Sequence, residues 1–309
     1  MPDPSEIETE TRFAFGKNWS AFLKQIDAGR VEQAIGSLRD LLLLDPNHDQ
    51  PLAGKRFLDI GSGSGLFSLA AVSLGATVVS VDIDRESFGC TRQLRDQWDT
   101  SVNAEREYIE TTRWEVLHLS VLDRDAIGSL GDFDVVYSWG VLHHTGKMRA
   151  AIESASARVR PGGWFAIAIY NDQGGGSRRW HAIKRGYHRL PSLLRPVYVA
   201  FVAGVFEFKF AAARLARRNN PLPLADWRAK RGDRGMSVWH DWVDWIGGLP
   251  FEVATPEAII LPLRRNGFIL ENLHTVGSGW GCNEYVFRRE ANDRSHPTGA
   301  GAKTTPAPG

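Results

Sequence analysis

Cysteine is scarce in this chain. Two residues among 309, Cys90 and Cys282, are too few for a disulfide framework or a zinc site; they read as small apolar side chains in a reducing compartment, and no metal is expected. Net charge is nearly absent as well. The 37 Lys and Arg against 36 Asp and Glu leave +1, which argues against a protein built to coat DNA or RNA while allowing a local basic patch. No apolar run reaches the length of a bilayer span without a charge interrupting it. The start, MPDPSEIETETR, is acidic and polar where an export signal is basic and then apolar. The expectation from these absences is a cytoplasmic location. What is present is ordinary for a soluble globular protein, 43% hydrophobic and 24% charged, with length enough for one large core and an insertion.

The informative stretch is Arg56 to Gly65, RFLDIGSGSG. Phe57, Leu58 and Ile60 form an apolar run without helical period that ends in three glycines, which predicts a buried strand entering a tight turn. Leu66, Phe67, Leu69, Ala70 and Val72 then keep helical spacing up to Gly75. Glycine lets a ligand lie against the main chain, and the N–H groups at the helix start face that ligand. A dinucleotide turn, G-x-G-x-x-G, would need its third glycine at position 66, where Leu66 stands; the glycine comes one residue early, at Gly65.

With Asp59 the pattern is D-x-G-x-G-x-G, and the next strand, Thr77 to Val81, ends in Asp82. This resembles motif I of the class I S-adenosylmethionine (SAM) dependent methyltransferases, most like the quinone-pathway and small-molecule O-methyltransferases in its core. The resemblance covers about Phe13 to Arg289 and is specific from the first strand to the fifth. It implies SAM as cofactor, held by Asp59, Gly61, Ser62, Gly63 and Gly65 at the turn and by Asp82 and Ile83 at the ribose. It further implies Asp123 at the adenine (the family's acid sometimes stands earlier, where this chain has Ser120), and Trp139 and Gly140 at the end of the fourth strand. The N-terminal helices, around Ser20 to Ala28 and Val31 to Leu44, fall where relatives close over SAM, so Trp19 is either a lid residue or plain packing.

From Gly54 strands and helices alternate, the signature of a doubly wound, mostly parallel α/β sheet. The strands expected are Arg56 to Ile60, Thr77 to Val81, Trp114 to Leu119, Phe133 to Ser138 and Trp164 to Ile169, and the resemblance brings the total to seven in a Rossmann-like sheet. The alternation stops at Asp172 and resumes at Thr255. The expected organisation is therefore a helical lid over residues 1–53, a SAM-binding core over 54–171, a helical cap inserted between strands five and six over 172–252, the end of the core over 253–289, and a disordered tail over 290–309.

The insertion combines a basic first half, with Arg178, Arg179, Lys184, Arg185, Arg189 and Arg195, and an apolar run from Val197 to Phe210. Its readings are packed helices with a solvated basic face, a peripheral membrane patch or greasy channel for a lipophilic substrate, or an anionic-substrate surface. Further on come His240, Asp241 and Asp244 among Trp239, Trp242 and Trp245. If helical, the acids share one edge and Trp242 and Trp245 another; these tryptophans either pack the cap onto the sheet or shelter a base.

The expected activity is transfer of a methyl group from SAM to a small acceptor, with oxygen favoured over nitrogen or carbon. A tRNA base is a rival acceptor, a SAM-binding protein without transfer a rival of another kind, and no DNA partner is expected. Proton acceptors able to reach the acceptor atom are His240 with the adjacent Asp241, placed first, then His144, His143 and Tyr170. Asn283 and Glu284 are weaker polar candidates.

Overall fold

The computed structural model describes residues 26–103, 113–216, 238–277 and 279–291. Its strands are β1 (Arg56–Ile60), β2 (Thr77–Asp82), β3 (Trp114–His118), β4 (Phe133–Trp139), β5 (Val159–Tyr170), β6 (Phe268–His274) and β7 (Cys282–Arg289). They form one sheet in the order β3-β2-β1-β4-β5-β7-β6. β1 to β5 run parallel and β7 is antiparallel to both β5 and β6. The doubly wound, seven-stranded architecture expected from the alternating pattern is what the chain adopts.

β1 and β4 are buried almost end to end because helices cover both faces of the sheet. Alternate residues therefore face two different cores. Phe57, Val135 and Val286 pack with Leu38, Leu69 and Ala70 from α1 (Ala28–Leu42) and α2 (Leu66–Ser73). Leu58, Val136, Phe165 and Phe287 pack on the other side with α4 (Arg124–Ser129), α5 (Met148–Ser156) and α9 (Pro256–Arg265).

The chain leaves β1 through α2 toward β2, continues through α3 (Arg85–Asn103) to β3, and comes back to β4 on the other side of β1. This reversal opens a crevice at the C-terminal ends of β1 and β4, where doubly wound sheets hold ligands.

Several boundaries differ from the expectations for physical reasons. α1 runs from Ala28 to Leu42, not from Val31 to Leu44: its cap, Leu43, takes a left-handed conformation (φ 53°) and its neighbour's N–H closes on Arg39 O, a stop that any residue can make at a cost. β5 begins at Val159, ahead of Arg160-Pro161-Gly162-Gly163, because that segment bulges within the strand; Val159 pairs with Phe133 and Trp164 with Val135. His143 and His144 lie in a 3₁₀ turn, Leu142–His144, directly after β4. Trp19, residues 20–25 of the helix expected at Ser20 to Ala28 and the tail beyond residue 291 lie outside the described residues, while the end of that span is the extended N-cap Asp27 and the first residue of α1.

Between β5 and α9 the chain folds into α6 (Gly175–Arg189), α7 (Arg195–Ala216) and α8 (Val238–Gly247). Trp180, Tyr187, Val199, Val202 and Ile246 make their common core. Lys184 is 1% exposed, against its reading as part of a solvated face. Its Nζ donates to Trp245 O (2.5 Å), and His188 Nε2 meets Gly247 O (2.6 Å). The two basic side chains, one turn apart on α6, thus serve the orphan carbonyls at the end of α8.

One helical segment stands out for its apolar length, although charges interrupt it as expected. The helical stretch Ser192–Ala216, mean hydropathy 1.5, is long and apolar enough to cross a membrane by length and composition. Arg195 stands near its start and Glu207, Lys209 and Arg214 late in it, on either side of an uncharged stretch from Pro196 to Phe206.

Candidate cofactor and acceptor site

The glycine turn is a backbone device. Gly61, Gly63 and Gly65 all have positive φ (77°, 58° and 84°), and Gly65 caps the start of α2. Added Cβ atoms would fail for separate reasons: at Gly61 one would lie 2.4 Å from Val141 Cγ2, and at Gly65 3.1 Å from Thr91. Gly61 N–H donates to Val81 O (2.7 Å) and Gly63 N–H to Asp82 Oδ2 (3.0 Å). The second Asp82 oxygen accepts from Asp84 N–H (2.9 Å). Its carboxylate is thereby clamped facing the turn from the end of β2. Ser62 Oγ and Thr91 Oγ1 are 2.9 Å apart, and Thr91 Oγ1 donates to Gly63 O, which ties the turn to α3.

Asp59 lies beneath this turn. It is 2% exposed and accepts from Ser68 Oγ (2.5 Å); Ser68 meets Ser80 Oγ (2.7 Å), which in turn accepts from Trp114 Nε1 (2.7 Å). Burial raises the Asp59 pKa from 3.8 to about 7, with the Ser68 hydrogen bond opposing and Asp82 adding to the rise. The side chain ties α2 to β1, β2 and β3 from inside and so positions the turn.

Ile83 is exposed beside Asp82, and His118 Nε2 lies 2.8 Å from its carbonyl; sequence reasoning passed over His118. Asp123 is the N-cap of α4, accepting from Ala126 N–H (3.1 Å), while Ser120 Oγ accepts from Leu122 N–H (3.1 Å). Both candidate adenine positions, Ser120 and Asp123, thus have local turn duties. Trp139 donates through Nε1 to Glu284 Oε1 (2.7 Å), and Gly140 (φ 75°) has nothing within 4 Å of where a Cβ would stand.

The residues fit SAM in the respects the structure can test. The donor set is a glycine turn with a clamped carboxylate at the adjoining strand end, and the space beside Gly140, just past the end of β4, is open. The turn and Asp82 would hold the amino-acid and ribose parts.

Beyond Gly140 the two histidines are distinct. His143 is fully buried; Nδ1 accepts from Tyr170 N–H (3.3 Å), and Nε2 makes no well-formed hydrogen bond. Burial, then His144 and Lys184, push its pKa well below the usual imidazole value, with the Ala168 carbonyl opposing. It is a neutral packing group. His144 is half-buried and its Nδ1 donates to Pro250 O (2.7 Å), so in the neutral ring the basic lone pair belongs to Nε2.

Tyr170 stacks on His143 (ring centroids 3.9 Å apart) and also meets His144 (5.4 Å), Phe251 (5.5 Å) and Trp245 (5.8 Å). The segment Pro250–Glu252 closes this group: Glu252 N–H donates to His143 O, and its carboxylate takes Met148 N–H. Nothing in the sequence marked Glu252 or Phe251.

Trp242 and Trp245 lie half-buried against Phe206 and Trp180, which favours packing as their task. His240 and Asp241 are on α8, but their side chains lie outside the described residues. Asn283 is buried with its amide used by Val276, Asn171 and Tyr285.

A family model described as "Methyltransferase domain" matches residues 29–217, more than half of the chain. The ubiquinone biosynthesis O-methyltransferase of Brucella ovis is 31% identical over 163 residues, covering 49% of this chain and 59% of that protein. Its counterpart in Albidiferax ferrireducens is 25% identical over 206 residues, covering 62% and 77%. The chain thus spans less than two thirds of the first of these relatives. In fold it is similar to magnesium protoporphyrin IX methyltransferase of Synechocystis PCC 6803, solved with S-adenosylhomocysteine, at TM-score 0.50 and 14% identity over 93% of this chain and all of that one.

Proposed function

The chain belongs to the methyltransferase-domain family, and from that premise we propose that it moves a methyl group from SAM to an oxygen of a small, lipophilic acceptor. The observation that carries the reading is the Asp82 carboxylate held against the positive-φ glycine turn, with open space at Gly140 just past the end of the neighbouring strand β4. SAM supplies an electrophilic methyl on a sulfonium, which an acceptor displaces in line.

The chain's own part is to bind, orient, exclude water and accept a proton. Gly61 to Gly65 and Asp82 bind. Tyr170, Trp245 and Phe251 pack together at the end of β5, an apolar surface that would orient an aromatic or prenyl-like acceptor and keep water from it. His144 Nε2 takes the hydroxyl proton, because Pro250 O holds the proton on Nδ1. This ranks His144 ahead of His240. The O-methyltransferase relatives support oxygen as the acceptor atom. The apolar walls favour a small molecule over a tRNA base, which would call for stacking platforms interleaved with polar groups. α6 to α8 act as a cap that decides the acceptor. That neither cysteine is joined in a disulfide suits the cytoplasm.

The test is transfer of labelled methyl from SAM to a panel of phenols, catechols, amines and prenylated quinols. The reading expects product on phenolic oxygen. Product on amines alone would replace oxygen by nitrogen, and binding of SAM with no transfer to any of the panel would favour a SAM-binding protein.

A further inference from the structure

We propose that the outer face of α7 is a docking surface for an anionic lipid bilayer, on which the cap helices rest. Leu193, Val197, Phe201, Val205, Phe208 and Leu215 recur at intervals of three, four and seven and all face outward; Val197, Phe201 and Phe208 are 67%, 69% and 75% exposed. A helix of 22 residues extends this stripe over about 33 Å. An apolar strip of that length is far beyond the scattered exposed side chains normal on a soluble surface.

The inner edge of α7 is already committed to the protein. Val199 and Val202 are buried, Phe206 stacks on Trp180 (5.0 Å), Tyr198 Oη donates to Ile183 O (3.1 Å), and Arg195 sits over the Tyr187 ring (5.3 Å). A spanning orientation would break all of these contacts and carry the Glu207–Arg214 pair into hydrocarbon. The same helix lying flat keeps them and buries only the stripe, as interfacial helices do.

Charge selects the occupant. The outward stripe carries no charge, yet basic residues flank it on both sides in sequence. α6 exposes Arg178, Arg179, Arg185 and Arg189, and residues 217–237 hold six Lys and Arg against Asp226 and Asp233. Cations beside an apolar strip suit anionic headgroups over an acyl boundary. A second copy of the chain would bring the same cations against themselves. The inference rests on the methyl-transfer reading only for its purpose, which is to place the cap where a lipophilic acceptor is dissolved.

The experiment is flotation of the full chain with neutral phosphatidylcholine vesicles and with vesicles carrying about 30% phosphatidylglycerol, at low and high salt. The expected result is binding to the anionic vesicles that weakens with salt. Phe201→Glu with Phe208→Glu should lower it at least about tenfold while thermal midpoint and SAM affinity hold. If that double variant unfolds, Phe201→Ser alone is read in the same way. No flotation of the native chain, or binding untouched by these substitutions, overturns the proposal. So does light scattering that shows a dimer converted to monomer by them. Titration with SAM on the same sample separates the two readings: a native chain that floats but ignores SAM sinks the methyl-transfer reading and leaves the docking surface standing.

Discussion

At the C-terminal edge of β1 and β2 the backbone does the positioning. Three glycines at positive φ, two carbonyl contacts from Val81 and the clamp on Asp82 fix a concave turn. In the helices above it side chains do the positioning: rings from α6, α7, α8 and the β6–β7 hairpin interlock around Trp180, and Lys184 and His188 hold the end of α8. A backbone site tolerates few sequences and so advertises itself. A packed aromatic cluster is met by many sequences and advertises little. On the proposed function the first region would hold the cofactor and the second would meet the acceptor.

The comparison breaks first at the histidines. If acceptor chemistry rests on His144, His144→Gln should cost about 10²–10⁴-fold in turnover with SAM affinity preserved. His143→Gln should instead lower stability. Equal, small effects of both on turnover would mean that proximity alone suffices and the acceptor arrives deprotonated.

The second effect comes from beneath the turn. Asp59 has its folded-state pKa raised from 3.8 to about 7, so between those values the folded state binds more protons than the unfolded one. Its contribution is fully present below about pH 4 and is lost as pH rises to about 7, on the order of 2–4 kcal/mol. Urea melts from pH 4 to 8 should show that loss in the native chain and a much flatter profile in Asp59→Asn. Parallel profiles would place the titrating group elsewhere.

A smaller loss is expected at the mouth of the turn. Asp82→Ala should weaken SAM binding by about 1.5–3 kcal/mol, read by calorimetry, with the melting profile little changed. Unaltered affinity would remove Asp82 from the cofactor site.

Least of all, Lys184→Met should cost about 1–3 kcal/mol of stability by leaving Trp245 O unmet in a buried place, and should leave SAM affinity alone. Stability at the native level would show the cap held by its aromatic rings without that bond.

These contrasts explain what was legible. The glycine spacing, Asp82 and the alternation of strand and helix are local patterns, and from them the doubly wound sheet and the methyltransferase family could be read. The burial of Lys184, the seat of Pro250 against His144 and that of Glu252 against His143 depend on residues between 61 and 109 positions apart in the chain. No spacing rule reports such contacts. The stripe on α7 was visible as an apolar run, but which side faces outward is decided by Trp180 and Tyr187 on another helix. Asp59 shows a subtler limit: motif position suggests contact with the ligand, whereas its depth makes it a support for the residues that have it.

The central claim is that the glycine turn and Asp82 hold SAM. Isothermal titration of the full chain with SAM, S-adenosylhomocysteine and NAD tests it most directly. The account predicts saturable binding of both SAM species at one site and none of NAD; tight NAD binding with no response to either SAM species would contradict it.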